Sequence, residues 1–131
     1  MLQHDYLLEI IGKFVECVTV ALLGVFKDGD FSRIPDAEQA VADLLDLDAE
    51  TAMALAPQSL VTMMSLSGVG ESVAGYAAYA LSKVGDAYEL AGDESRAELR
   101  RSQAKAISAA FGADDNEIPE EFEALADGLG E

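Results

Sequence analysis

Residues 71–111 read ESVAGYAAYALSKVGDAYELAGDESRAELRRSQAKAISAAF, and the fold class is decided there. Val73, Ala77, Ala80, Val84, Ala87 and Ala91 recur at steps of three and four, which places them on one face of a helix. Gly92 then suits the left-handed residue that ends a helix, and Asp93 suits the N-cap of the next. From Glu94 to Phe111 a second seam follows, made of Ala97, Ala104, Ile107 and Phe111. Two helices joined by so short a turn pack antiparallel. Small residues at Gly85, Ala97 and Ala104 allow their backbones to come close.

Upstream the same periodicity continues. Asp5, Glu9, Gly12, Lys13, Glu16, Thr19 and Lys27 draw a narrow polar stripe on an otherwise apolar segment, so residues 5–27 are expected to form one long helix. Such a helix is either central to the domain or half of an oligomer interface. Gly29 suits its left-handed cap. Pro35 opens a second helix, Asp48 caps a short third one through Leu55, and Pro57 opens a fourth with Leu60, Val61, Met63 and Met64 inward. Downstream, Pro119 to Leu129 places Ile118, Phe122, Leu125 and Leu129 on one face. No segment alternates as a strand. The expectation is an all-α chain of six to seven helices, with a long N-terminal helix and an antiparallel hairpin. Residues 1–113 form the helical domain, and 114–131 an acidic C-terminal segment docked as a helix.

The hairpin resembles a tetratricopeptide repeat. Val84-Gly85 stands where that family has Leu-Gly, Tyr88 matches its Tyr, Gly92 its turn glycine, and Ala97 and Ala104 its two small residues on the second helix. Leu81 replaces the usual Trp, and Arg101 replaces a large apolar residue. The match spans about a quarter of the chain, with no second copy at the repeat period. His4-Asp5-Tyr6-Leu7 and Leu44-Leu45-Asp46-Leu47 also resemble a small bacterial family with a hairpin of this kind and no assigned function. The resemblance implies hairpin packing through Gly85, Tyr88, Gly92, Ala97 and Ala104.

Composition narrows the function. The chain has 131 residues, a formal net charge of −17, one Cys and one His. That charge repels phosphate backbones and anionic lipid, so neither nucleic acid nor a membrane is the expected partner. A single Cys makes no internal disulfide, and no basic N-terminal region suggests a signal peptide, so the expected location is the cytoplasm. Cys17, among Val15, Val18 and Val20, is expected to be a buried thiol. No cofactor and no metal are expected. Asp28, Asp30, Ser32 and Asp36 have calcium-loop spacing, but Arg33 occupies the position that demands Gly, and Gln39 stands where a bidentate Glu belongs. Gly70-Glu71-Ser72-Val73-Ala74 approximates a nucleophile elbow, yet His4 precedes Ser72 when the triad order requires a later His.

Two features point to binding. Arg96, Arg100, Arg101 and Lys105 gather half of the eight basic residues into ten positions. Arg100 falls on the apolar seam of its helix. Their stems can lie on apolar surface while their heads reach Asp86 or Glu89 across the hairpin, or they form an anion site. The acids of 114–121 are expected to face this cluster. Separately, residues 51–82 hold one charged side chain, Glu71, in a chain that is 25% charged. Surface stripped of charge in this way suits contact with another copy or another protein. The expected function is therefore a non-enzymatic helical interaction module, self-associating or peptide-binding. A binder of a small anionic ligand at the Arg96–Lys105 face comes second, and a hydrolase using Ser72 third.

Overall fold

The structure, a computed structural model, describes residues 2–68, 70–113 and 118–130. Its helices are α1 (Leu2–Asp28), α2 (Ile34–Leu44), α3 (Ala49–Ala54), α4 (Pro57–Ser67), α5 (Gly70–Leu90), α6 (Glu94–Phe111) and α7 (Glu123–Leu129). Short 3-10 turns precede α2 and α7, at Phe31–Arg33 and Glu120–Phe122. Among the described residues there is no strand, so the chain is all-α as its periodicity predicts.

Helix α5 is the hub. Its Ala77, Ala80, Leu81, Val84 and Ala87 are fully buried, and α6, α2, α1 and α4 all pack on it. The α5–α6 pair closes through Gly92 at φ +86°, where an L side chain would be strained, and through the Asp93 carboxylate, which accepts from the Arg96 N–H at 3.1 Å. At Gly85 an added Cβ would stand 2.8 Å from Arg101 Cγ and 3.1 Å from the Ala97 carbonyl. Glycine there is a condition of the close approach. Ala97 and Ala104 line the same contact and are buried.

Helix α1 covers one side of α5 and α2. Ile11, Phe14, Val18, Leu22 and Val25 point inward at a 3-4 spacing and are buried. Its opposite face is open, with Leu8 52% and Val20 55% exposed. The nearly all-round apolar pattern therefore does not mean burial on several sides. Among the described residues α1 packs chiefly against α2, α5, α7 and the 3-10 turns, and these cover one stripe. Cys17 lies on the open face and is exposed, which corrects the buried thiol read from its Val neighbours.

The C-terminal segment docks across α1. Phe122 is fully buried, its ring edge-on to Phe14 at 5.8 Å and tilted over Tyr79 at 4.9 Å. Leu125 and Ala126 are buried with it, Leu129 is half-buried, and Ile118 is 39% exposed, so the stripe read from the sequence is used from Phe122 onward. Helix α4 uses its apolar residues sparingly. Leu60 and Met64 are buried and Val61 half-buried, but Met63, expected inward, is 40% exposed. Among the described residues no helix is long and apolar enough to cross a membrane.

Candidate functional site

The α5–α6 hairpin sits on a buried polar clamp. Arg100 on α6 is 5% exposed, and Glu38 on α2 is 8% exposed. Arg100 Nε donates to Glu38 Oε2 at 2.7 Å, and the Tyr88 hydroxyl of α5 donates to Glu38 Oε1 at 2.9 Å. Arg100 Nη1 donates to the Met53 carbonyl at 2.8 Å and to Gln103 Oε1 at 3.0 Å. Gln103, fully buried, donates from Nε2 to the Leu55 carbonyl at 2.9 Å. The reason lies in α3. The last carbonyls of any helix have no partner within it. Here the chain turns extended at Leu55 and Ala56 ahead of Pro57; the Leu55 N–H still donates to the Ala52 carbonyl at 3.3 Å, but the helix does not continue to serve the carbonyls of Met53 and Leu55. Two side chains from α6 do so, and a cation is the favourable group at a helix C-terminus. Arg100 occupies an apolar seam because it caps α3 and neutralises Glu38 at once.

The rest of the basic cluster is also paired. Arg101 Nη2 reaches Asp86 at 2.8 Å and Glu89 as well, joining α6 to α5. Arg96 pairs with Asp93 at 3.2 Å and lies 5.8 Å from the Tyr88 ring centroid, so it covers the outer edge of the clamp. Lys105 is exposed, on a shallow groove shared with Glu94, Glu98, Arg101 and Ser102. The cluster therefore divides into one buried structural cation, two arginines balanced by acids, and one exposed lysine among glutamates. The counter-charge comes from α2, α5 and the start of α6. Glu121, expected to face this cluster, instead accepts from the Tyr76 hydroxyl of α5. Asp114, Asp115 and Glu117 lie outside the described residues.

The second candidate surface is the outer face of α4. From Thr51 to Gly70 the chain has no charged residue. Gln58, Ser59, Thr62, Met63, Ser65 and Leu66 are exposed along it, and Leu66 at 77% is the most exposed large hydrophobic among the described residues. Two of its hydroxyls are turned onto the helix itself. Thr62 Oγ1 donates to the Gln58 carbonyl at 2.9 Å and Ser67 Oγ to the Met64 carbonyl at 2.7 Å. Donors already satisfied by their own backbone lose little when water is removed. Ser72 is exposed in the first turn of α5, and the Asp30 carboxylate is taken up by Ser32 and Arg33 in a local turn.

Two tyrosines carry a pH signature. Burial, then the charge of Glu38, pushes the Tyr88 hydroxyl up to about 12. Burial, then the hydrogen bond to Glu121, pushes Tyr76 up to about 12. An unfolded tyrosine ionises near 10. A group whose folded value is raised contributes stability that is complete below the unfolded value and is lost as pH rises through the folded one. The melting temperature should therefore fall between about pH 10 and pH 12. In Tyr88→Phe that fall should be shallower, from a lower plateau at neutral pH. Thermal melts followed with tyrosinate absorbance measure both. An alkaline limb of unchanged slope in Tyr88→Phe would show that Tyr88 does not titrate with unfolding.

Comparison of the chain with protein-family models, with curated proteins and with solved structures finds no match in any of the three.

Proposed function

We propose that this chain is a non-enzymatic helical protein–protein interaction module, and that the outer face of α4 is its docking surface. The observation that carries the reading is twenty consecutive residues, 51–70, with no charge in a chain of net charge −17, and with Met63 and Leu66 exposed within them. The surface of a strongly charged protein is ordinarily solvated by its charges. A helix face that lacks them, turns the Thr62 and Ser67 hydroxyls onto its own backbone and exposes large apolar side chains loses less on dehydration than a charged one. The clamp supports this reading from below. Arg100 and Gln103 hold the α3 carbonyls and so set the corner from which α4 departs. Helix α4 itself buries only Leu60 and Met64 fully, and its remaining side chains face outward or lie half-buried.

The anionic-ligand reading gains less support, because Arg96, Arg100 and Arg101 already face acids at 2.5–3.2 Å. A photoactivatable phenylalanine analogue at Ser65, with a parallel probe at Glu98 on α6, tests the docking reading in cells expressing the chain. The expected outcome is one discrete protein adduct from position 65, removed by Leu66→Glu, and none from position 98. Equal, diffuse labelling from both positions would make α4 an ordinary surface.

A further inference from the structure

We infer that the occupant of the α4 face is a second copy of this chain, paired about a two-fold axis that crosses α4. The inference rests on the docking reading above and adds the identity of the partner. On a chain with 25 acids and 8 bases, a cationic partner would be recognised most strongly through carboxylates. A face without a carboxylate gives up that handle. It admits a partner that is itself strongly negative without local repulsion, and a second copy carries the same −17 by necessity. Symmetry sharpens the point. In a two-fold contact each residue near the axis meets the same residue of the other copy, so any charge there faces its own like. Residues 51–70 contain none, and Glu50 and Glu71 bracket the stretch at its two ends.

Contact chemistry agrees. Ser59, Thr62, Met63 and Leu66 follow one another at steps of three and one, so they form a continuous strip of small and apolar side chains along the exposed helix. Thr62 directs its hydroxyl hydrogen back to its own turn, which leaves its methyl group for the contact. The strip is short. Eleven residues of helix extend about 17 Å. A contact of that length falls below the roughly 800 Å² per partner of a standard stable interface, so the association is expected to be weak and concentration-dependent.

Sedimentation equilibrium on the full chain, from about 10 to 500 µM protein at low and at high salt, decides it. The expected mass rises from 13.8 kDa toward twice that value with concentration. Association should strengthen with salt, since screening weakens the repulsion between the acidic surfaces outside the contact. Leu66→Glu and Thr62→Glu should each weaken it at least tenfold while leaving the melting temperature of the monomer unchanged, because both side chains are exposed. Three results overturn the inference. They are a 13.8 kDa mass at every concentration and salt, a dimer indifferent to both substitutions, or a dimer that salt dissociates. If the mass stays monomeric while the probe at Ser65 still yields a discrete adduct of another size, the occupant is a foreign protein. The docking reading then stands and this inference falls.

Discussion

Arg100→Ala should lower the stability by about 3–5 kcal/mol, more than truncation of any exposed arginine on the same helix. The loss comes from what remains behind. Glu38 would be left at 8% exposure without its cation, with the Tyr88 hydroxyl as its remaining donor. The Met53 carbonyl would lose its 2.8 Å bond, and Gln103 would lose the donor at its Oε1. A buried charge without its partner costs far more than the intact pair contributes. Arg100→Lys should recover little, because one ammonium cannot serve Glu38, the Met53 carbonyl and Gln103 in the geometry that a planar guanidinium spans. The double variant Glu38→Leu/Arg100→Met should recover much of the loss, since apolar replacement of a whole buried pair is close to neutral. Chemical denaturation of these three variants, of Glu38→Leu and Arg100→Met singly, and of the parent measures the coupling directly. An Arg100→Ala protein as stable as the parent would mean that the clamp is not formed in solution. Arg96→Ala serves as the control, with an expected change of about 0–1 kcal/mol at its exposed pair with Asp93.

The second large effect concerns the C-terminal segment. Phe122→Ala should cost about 3–5 kcal/mol, the usual loss for a fully buried phenylalanine that leaves a cavity behind. The ring contacts with Phe14 and Tyr79 are lost as well. For a chain of this size the change corresponds to a melting temperature roughly 10–20 °C lower. Phe122→Asp should cost at least as much, because it adds an unpaired carboxylate to the same site. Truncation after Ala113 uncovers Phe14 and Tyr79 together and should produce a similar fall with new binding of an apolar dye. Glu121→Gln leaves the ring in place and tests the Tyr76 contact alone, which is exposed and worth about 0–1 kcal/mol. If the truncated chain melts with the parent, α7 contributes nothing to the core, and the burial of Phe122 is incidental.

These two sites differ in how far they could be read from the residues. Phe122 and Leu125 announce themselves, because two apolar residues three apart in an acidic segment have no use in a free tail. The clamp does not announce itself. Glu38 stands between Ala37 and Gln39 and attracts notice only because it misses the twelfth place of the calcium-loop spacing by one. Its partner lies 62 positions away, and no local rule connects them. One signal was visible: Arg100 interrupts the apolar seam of α6, and a charge on a seam implies a buried counter-charge. Which acid answers it depends on how α2 crosses the hairpin.

Local interactions explain what the amino-acid sequence determined by itself. Helix spans, the caps at Asp48 and Asp93, the turn at Gly92 and the breaks at Pro35 and Pro57 all arise from contacts within a few residues. They are therefore legible wherever the residues are known. Burial is another matter. Val20, Met63 and Cys17 carry the same local pattern as Val18, Met64 and Val25, yet the first three are exposed and the last three buried. Periodicity identifies a face that is able to be covered, but the number of neighbouring helices determines how much of it is covered. Only the tertiary structure could decide that α1 is covered along a single stripe, that Arg100 belongs to Glu38, and that the charge-free stretch from Thr51 to Gly70 is divided between core and surface.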